Sequence, residues 1–527
     1  MRVATSALSP SGPVTGFTAA RPAPPMSVLE HSCPARASIQ RQRVSLCAQF
    51  LHCRHGRACP YQMHTSGSGS RLQAIDLSES MPMRRHREAS DGARAGSVWR
   101  PAPGKRGEFL LDRLLAVGQA GVRVRPLGGN RAGEVRLGRF LRNPRVSTAE
   151  MVATACARPA GLVKGRHVLA IQDTTSLRDD GDQQSLQLHP TIAVDAQSGA
   201  LLGLVHAAFL RRHGGRRADC NNRPFAEKES RRWLDAAVEA AKLAEAGAAC
   251  VTVIADREAD IYEQFACRPA AVEVLVRAKH DRPLADGTWL FASTDNLPEL
   301  GRETIMLPAA PGRPARQAVV ALRARQVTIK RPHRNLAAEA AKLPTEITLC
   351  FLEAREVDPP AAAVHWRLLT THAVTTLADA KQITSFYRQR WTIEQLFRVM
   401  KTKGFDVEAV RMLDEAPFEK LATAILIAAV QVLQMVRERD GAARRQLEDV
   451  FDPADQPALE AVCTTLEGKT ERQKNPHPRG SLAYAAWVCA RLGGWTGYYG
   501  KPGPVVTLQG YMRLQAMLHG WNLGRLV

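Results

Sequence analysis

HVLAIQD (167–173) and CVTVIAD (250–256) decide the fold, because each is an apolar run that ends in an aspartate. Such runs are typical of strands buried on both faces of a sheet. Between them, TIAVDAQSGALLGLVHAAFL (191–210) predicts two strands joined by a turn at Asp195 to Gly199. AEKESRRWLDAAVEAAKLAEA (226–246) predicts a helix. The predicted order is therefore strand, strand, strand, helix, strand.

This order opens the ribonuclease H-like fold, in which the first and fourth of these strands lie side by side in a mixed sheet. Asp173 and Asp256 then stand at the ends of neighbouring strands, where they can share one cation. Carboxylates crowded in this way raise one another's pKa unless a metal ion neutralises them. Taken singly, either aspartate is equally typical of an ordinary strand end, so the pair needs a third acid to indicate a function.

The third acid lies in SFYRQRWTIEQLFRVMKTKG (385–404), which predicts one amphipathic helix. Its apolar residues share one face, which would dock on the core. One edge presents a carboxylate flanked by a phenol, a guanidinium and an ammonium group. These groups suit phosphoryl transfer on DNA, since the carboxylate can complete a metal site while the others hold phosphates. A surface helix with scattered charges is the alternative. The four groups on this edge lie within about 60° of one another around the helix axis, at about 100° per residue. They belong to Tyr387, Arg390, Glu394 and Lys401.

The spacing of these four residues resembles the YREK signature of the IS-four family of bacterial transposases, of the Tn-five type. The texts QDTTSL around Asp173 and ADREADIY around Asp256 resemble the same family, as do RFLRNPRVS, EKES, VRAKH and WRLLT. The resemblance spans roughly residues 106 to 440. It implies a DDE transposase that binds the terminal inverted repeats of an insertion sequence. Such an enzyme cuts the element out through a DNA hairpin and transfers its strands to target DNA.

The resemblance also implies roles for single residues. Asp173, Asp256 and Glu394 would be catalytic and would bind two divalent metal ions, Mg²⁺ or Mn²⁺ as its substitute. Trp366 would stack on a base flipped out of the duplex, although a core residue in a hairpin is the alternative. Lys228, Glu229 and Glu258 match motif positions whose roles remain open. The residues that would contact DNA are Tyr387, Arg390, Lys401, Arg277, Lys279 and Trp366.

Together, these patterns predict an α/β protein with a ribonuclease H-like catalytic core, a mixed sheet with flanking helices. The core would carry a β-rich insertion before its last helix, and the implied partners are double-stranded DNA and a second copy of the chain. The predicted regions are a disordered leader (1–95), a helical N-terminal DNA-end-binding domain (106–160), the first part of the core (161–256), the β-rich insertion (257–375), the catalytic helix (376–412) and a helical C-terminal dimerisation region (413–527).

The charge of the chain favours a polyanionic partner. Lysine and arginine number 72 against 51 acids, for a net charge of +21. Neutralising phosphates releases condensed counterions, so such an excess promotes nucleic-acid binding. Arginine-rich coding from a GC-rich genome is the alternative source. Two basic segments are candidate phosphate contacts: the strand-like stretch between Arg313 and Arg334, and the series Arg136, Arg139, Arg142 and Arg145.

The remaining features bear on location. The 11 cysteines form no regular framework, which favours a reducing compartment. The most apolar segment, Leu421 to Val436, is too short to span a bilayer and predicts a buried helix. The resemblance implies a cytoplasmic protein that acts on bacterial nucleoid DNA. Residues 1 to about 95 are rich in Pro, Gly, Ser and Arg and predict a disordered leader or a start placed too early, with the true start near Met81 or Met83. Zinc is a minor alternative there, because no CxxC pair occurs among Cys33, Cys47, Cys53 and Cys59, with His52 and His55 nearby.

Two other functions were weighed against transposition. A DNA-binding regulator that no longer cuts would keep the fold, but the intact set of acids and the YREK residues argue against it. A nucleotide-dependent enzyme would need a glycine-rich turn after the first strand, and QDTTSLRDD (172–180) contains none.

Overall fold

The computed structural model describes nine ranges of the chain: residues 104–117, 122–179, 184–213, 223–307, 314–333, 341–359, 363–401, 404–498 and 500–524. All of them belong to one compact unit. The leader predicted over residues 1–95, with its cysteines and histidines, lies outside the described residues.

A ten-stranded mixed sheet runs through the molecule. Its strand order is β2-β3-β1-β5-β6-β10-β9-β8-β7, and β4 pairs with β3. The strands are β1 His167–Gln172, β2 Thr175–Asp179, β3 Gln184–Asp195, β4 Leu201–His213, β5 Cys250–Ala255, β6 Glu273–Arg277, β7 Gly301–Leu307, β8 Arg316–Lys330, β9 Glu346–Glu356 and β10 His365–Thr370.

The predicted pairing of the first strand with the fourth is confirmed. β1 pairs in parallel with β5, with Val168 opposite Val251, and pairs antiparallel with β3 on its other side. Because parallel strands end at the same edge of a sheet, the residues after Gln172 and Ala255 emerge together. The sequence did not predict β2, a short strand that returns along β3 directly after Asp173 and Thr174.

Helices cover both faces of this sheet. Alternate residues of β1 point to opposite sides: Val168 packs in a cluster with residues of α5, and Leu169 packs in a cluster with residues of α9. The helices are α1 Gly104–Val117, α2 Val124–Gly128, α3 Arg131–Arg142, α4 Thr148–Ala160, α5 Arg231–Glu245, α6 Tyr262–Ala266, α7 Leu377–Arg388, α8 Trp391–Met400, α9 Glu415–Glu438, α10 Gln456–Leu466, α11 Leu482–Leu492 and α12 Pro504–Gly524.

The helix α9 is the centre of the α-helical part. It has 24 residues and is apolar enough to cross a membrane, but 89% of its most apolar window is buried inside the protein. It contacts β4 and the helices α1, α3, α4, α8, α11 and α12. The buried helix predicted over 421–436 is confirmed and is longer than predicted.

The N-terminal helices are capped and tied to α9. Ser147 accepts a hydrogen bond from the backbone N–H of Glu150 and so caps the N-terminus of α4. The buried Lys420 of α9 donates from Nζ to the carbonyl oxygens of Leu141 and Asn143, at 3.0 and 2.8 Å. These two carbonyls lie at the end of α3, where helix carbonyls lack partners within the helix.

The segment predicted as a β-rich insertion continues the core sheet. β6 falls within the range 257–375, yet it pairs in parallel with β5 of the core. β10 pairs antiparallel with β6, and β9, β8 and β7 follow in turn. One continuous sheet therefore joins the core to the strands β7 to β10.

Candidate active site

The helix predicted over residues 385–404 is interrupted, and this part of the prediction is wrong. α7 ends at Arg388 and α8 begins at Trp391. At the break, the N–H groups of Gln389 and Arg390 bond to carbonyl oxygens only three residues back. A residue of another helix stabilises this three-residue turn: Arg437 of α9 donates to the side chain of Gln389 at 2.5 Å.

The break changes the position of Lys401. This residue lies beyond the end of α8 in extended conformation, and its Nζ forms an ion pair with Glu408 at 2.8 Å. The predicted single edge with four polar groups is therefore divided among α7, the turn, α8 and the segment after it.

The structure brings the three predicted acids to one edge of the sheet. Asp173 follows β1, Asp256 follows β5, and Glu394 lies in the first turn of α8. The guanidinium of Arg390 bridges two of them: Nη1 is 2.9 Å from Oδ2 of Asp173 and 3.3 Å from Oε1 of Glu394. Asp256 is near enough for its charge to act on Asp173.

The carboxyl group of Asp173 is perturbed by burial and by nearby charges. Burial raises the pKa of its carboxyl group from 3.8 to about 7, and the charges of Asp256 and Glu394 add to this effect. Arg390 acts in the opposite direction but does not cancel it. The side chain is only 13% exposed, so water screens little of this repulsion. A cation at this place would stabilise the ionised carboxylate.

The donor set fits a divalent metal ion in its chemistry, since carboxylate oxygens are the ligands that Mg²⁺ and Mn²⁺ prefer. Among the described residues, no three acidic, histidine or cysteine side chains are grouped closely enough to hold one metal ion. Arg390 instead supplies the positive charge between Asp173 and Glu394.

A second group of predicted residues packs beside the acids. Tyr387 of α7 is buried, and its hydroxyl group is hydrogen-bonded to Arg277 at the end of β6. Arg277 also donates to the carbonyl oxygen of His365 at 3.0 Å. Trp366 of β10 is half-buried and meets the Tyr387 ring edge to face, with ring centroids 5.8 Å apart. Burial raises the pKa of Tyr387, which keeps its hydroxyl group protonated.

Lys279 lies on an exposed loop that Asp260 organises. Oδ2 of Asp260 accepts from the backbone N–H groups of Lys279 and His280, and its carboxylate also pairs with Arg282. The Asp260 side chain is fully buried. The sequence analysis did not single out Asp260, although it belongs to the quoted text DREADIY.

Trp391 is a further residue that the sequence analysis missed. It directly follows Arg390, its side chain is 54% exposed, and the Arg390 guanidinium lies 5.7 Å from its ring centroid. An exposed aromatic ring next to a guanidinium group can stack on a nucleic-acid base. The signal was present, since Trp391 falls at about 40° on the helical projection, next to the polar arc.

Three arginines of the basic strand β8, which the sequence predicts as a phosphate contact, are paired with acids. Arg316 pairs with Glu356, Arg323 with Glu299, and Arg325 with Asp286. The acids come from a neighbouring strand and from loops that a local count of charges does not include. Their carboxylates offset part of the positive charge of this strand, and the phosphate track stays a prediction.

The comparison with protein families gives one match. The sequence profile described as the transposase DDE domain matches residues 165–431, just over half of the 527-residue chain. The matched range includes Asp173, Asp256, Arg390 and Glu394.

Proposed function

Because the chain belongs to the transposases with a DDE domain, we propose that it is the transposase of an insertion sequence of the IS-four, Tn-five type. It binds the terminal inverted repeats, excises the element by cut and paste, and transfers the strands to target DNA. One observation carries the proposal: Asp173 and Glu394, far apart in the chain, meet on the guanidinium of Arg390 while Asp256 acts on the same carboxylate.

In this proposal, Asp173, Asp256 and Glu394 hold two divalent ions, Mg²⁺ or Mn²⁺ as its substitute. When bound, such ions activate a water or a 3′-hydroxyl and stabilise the leaving oxygen. Arg390 holds a non-bridging oxygen of the phosphate at the cleavage position, for which a planar guanidinium is well suited. Lys401 binds the neighbouring backbone once its pair with Glu408 opens.

The hairpin step involves the group around Tyr387. Trp366 offers a half-buried ring to a flipped base, and Tyr387 supports that ring from the side. Arg277, held by the Tyr387 hydroxyl, orients its guanidinium toward the DNA backbone, and Lys279 adds an exposed charge nearby. Stacking on an aromatic ring recovers part of the cost of flipping, on the order of a few kcal/mol.

The N-terminal helices bind the ends of the DNA element, and the C-terminal helices pair two copies of the chain. Arg136, Arg139, Arg142 and Arg145 are all exposed on α3 and the turn after it, and we assign them to the terminal repeat. On α12, Met517, Trp521 and Leu523 are 47%, 42% and 52% exposed, which supports a homodimer contact there in the synaptic complex. The site of action is the nucleoid DNA in the bacterial cytoplasm.

The test uses linear DNA in which the repeats that flank the gene enclose a labelled segment. The intact chain should release the segment only with Mg²⁺ or Mn²⁺, through a hairpin visible on a denaturing gel. Glu394→Gln should abolish release, whereas Glu471→Gln, at a side chain that is 87% exposed, should not. Release by Glu394→Gln at the rate of the intact chain would refute the role of this glutamate. Binding of the repeats without cleavage under any metal would instead indicate a regulator.

A further inference from the structure

A buried arginine behind the carboxylates contacts the residues that follow both aspartates. Arg232 lies in the first turn of α5, and its side chain is only 5% exposed. Its Nε donates to Oγ1 of Thr174 at 3.1 Å, and its Nη2 donates to Oε2 of Glu258 at 2.8 Å. Thr174 directly follows Asp173, and Glu258 lies two residues after Asp256. One guanidinium thus joins the end of β1 to the end of β5.

The same two residues hold the aspartates through their backbone. The N–H of Thr174 donates to Oδ1 of Asp173 at 2.8 Å, and the N–H of Glu258 donates to Oδ1 of Asp256 at 2.8 Å. Each aspartate therefore has one carboxylate oxygen fixed by a residue whose side chain Arg232 binds. Displacing the guanidinium would release both of these residues at once.

A chain of buried hydrogen bonds fixes the Thr174 hydroxyl group. Its oxygen accepts from Arg232, so its proton is free to donate to Nδ1 of His189, 2.9 Å away. The other ring nitrogen of His189 then carries the proton and donates to Oε1 of Gln172 at 3.0 Å. The side-chain amide of Gln172 in turn donates to the carbonyl oxygen of Trp233 at 3.3 Å, which returns the series of hydrogen bonds to the residue next to Arg232. His189 is fully buried, and burial lowers its pKa well below the usual value, which keeps the ring neutral as this arrangement requires.

The charge on Arg232 is compensated locally. Glu258 and Glu229 pair with it, and its guanidinium carbon lies 4.9 Å from the centroid of the Trp233 ring. Only the arginine is buried in these pairs, since the Glu258 side chain is 52% exposed. Desolvation of the arginine offsets much of the attraction, but the pairs can still fix one arrangement of the chain. Glu229 and Glu258 are two of the motif positions whose roles the sequence left open, and both are partners of Arg232.

We propose that Arg232 is a positioning residue that sets the relative placement of the carboxylates of Asp173 and Asp256, with Thr174 and Glu258 as the links. The inference rests on the proposed function, in which these two aspartates bind metal. Groups that orient metal ligands from behind typically change metal affinity by about 10- to 100-fold when they are replaced.

The experiment measures Mn²⁺ binding to the intact chain without DNA, by calorimetry and by the paramagnetic resonance signal of free Mn²⁺. Arg232→Lys keeps the charge but cannot reach Thr174 and Glu258 together, and it should weaken binding about 10- to 100-fold. The matched control is Arg231→Lys on the same helix, where Arg231 is 44% exposed and, among the described residues, pairs with Asp235 alone, at 2.9 Å. It should bind Mn²⁺ as the intact chain does.

A second pair of variants covers the case in which Arg232→Lys fails to fold. Thr174→Val removes the hydroxyl group that Arg232 holds but keeps the backbone N–H that binds Asp173, so it should also weaken binding. Thr174→Ser keeps the hydroxyl group and should restore binding. Circular dichroism and the Tm show which variants are folded.

The outcomes separate the inference from the proposed function. Asp173→Asn should abolish Mn²⁺ binding if the carboxylates bind metal. If Asp173→Asn weakens binding while Arg232→Lys and Thr174→Val bind like the intact chain, the positioning role is refuted and the proposed function stands. If Asp173→Asn itself binds Mn²⁺ normally, the metal site is refuted and the positioning role with it.

Discussion

In the candidate site, arginines offset the negative charges of the carboxylates. Asp173 is buried beside two other carboxylates, and Arg390 supplies the nearest positive charge. Arg232 plays the corresponding part behind the site, on the residues that follow the aspartates. The two arginines differ in how they reach the aspartates: Arg390 contacts the carboxylate of Asp173 itself, whereas Arg232 contacts Thr174 and Glu258, which follow the aspartates. Replacing them should therefore have different consequences for metal and for DNA.

The raised pKa of Asp173 predicts how stability depends on pH in metal-free buffer. Because its folded pKa of about 7 lies above the unfolded value, the folded state holds the proton more tightly. The resulting stability is complete below about pH 4 and is lost as the pH rises through about 7. Asp173→Asn removes this dependence, so its Tm relative to the intact chain should rise between pH 5 and pH 8. The difference corresponds to a few kcal/mol, on the order of 1.4 per pKa unit. A constant Tm difference across this range would contradict the assignment.

Replacing Arg390 should affect metal binding and DNA cleavage differently. Its guanidinium occupies oxygens of Asp173 and Glu394 that a metal ion would use. Arg390→Met should therefore bind Mn²⁺ at least as tightly as the intact chain. It should nevertheless cleave DNA about 10²- to 10³-fold more slowly, the usual loss when one preorganised charge at a reacting group is removed.

The control for Arg390 is a neighbouring arginine. Arg388→Met removes a half-exposed side chain whose nearest acid is Glu303 at 3.9 Å, so both measurements should stay near those of the intact chain. Weaker Mn²⁺ binding by Arg390→Met would indicate that the arginine supports the metal ligands and does not compete with the ion.

At the scale of elements, the site depends on how α7, α8 and α9 meet the sheet. The buried strands β1 and β5, the strands β3 and β4 and the helix α5 could be predicted from the sequence, since apolar runs and helical periodicity are local signals. The break between α7 and α8 could not, because QRW offers no glycine or proline. It is fixed by Arg437, which reaches Gln389 from a helix 48 residues further along the chain.

The same division holds for the candidate site. Asp173, Asp256 and Glu394 could be selected from strand ends and a helix edge, and the structure places them together. Arg232 could not be selected, because on α5 it is one of two adjacent arginines in a helix with many charges. Only the fold shows that its side chain is buried while that of Arg231 is largely exposed.

A substitution at Gly199 tests how much the contact between Arg437 and Gln389 contributes to the stability and activity of the protein. Gly199 ends the β3–β4 turn at φ +71°, and a Cβ there would lie 2.6 Å from Nη2 of Arg437. Arg437 also donates to the Gly199 carbonyl at 2.7 Å. Gly199→Ala should therefore incur a backbone cost of about 1–2 kcal/mol and in addition displace Arg437 from Gln389.

Gly165→Ala is the matched control for this turn. Gly165 has φ +70°, but nothing lies within 4 Å of the added Cβ, so only the backbone cost applies. Denaturant unfolding should show a larger loss for Gly199→Ala, and DNA cleavage should fall in that variant alone. Equal losses in stability with unchanged cleavage would show that the contact of Arg437 with Gln389 does not matter for the site.

At the scale of the whole molecule, the excess of positive charge favours DNA, which is the partner in the proposed function. The net charge is +21, but the pairing of Arg316, Arg323 and Arg325 shows that a count of charges overstates the free cations. Arg139 and Arg145, exposed on α3 and in the turn after it, are the better candidates for phosphate contacts, whereas Arg142 is paired with Asp414 at 3.5 Å. Salt dependence distinguishes a DNA surface from arginines that reflect genome composition alone.

Affinity for the terminal repeat should therefore fall steeply with salt. If six or more phosphates are neutralised, raising the salt from about 50 to about 200 mM should weaken binding about 10³-fold or more. Replacing Arg139 and Arg145 by Gln should reduce the logarithmic slope by about 2. Replacing Arg323 and Arg325, which are already paired, should change the slope little. A flat salt dependence of the intact chain would contradict a phosphate-binding surface.

The continuous sheet has a consequence for synthesis of the chain. β6 pairs with β10, and Arg277 lies opposite Leu368. Because Leu368 is 91 residues later in the chain, β6 is synthesised well before the strand that pairs with it. At about 5–20 residues per second, a ribosome takes about 5–18 s to supply that partner, and during this time β6 presents an open strand edge. Glu394 is added later still. A growing chain can therefore pair its sheet before it acquires Glu394 and the helix α9, which packs against one face of β1. In the proposed function, ribosome-bound fragments that end before α8 should be unable to cut the DNA from which they are being expressed.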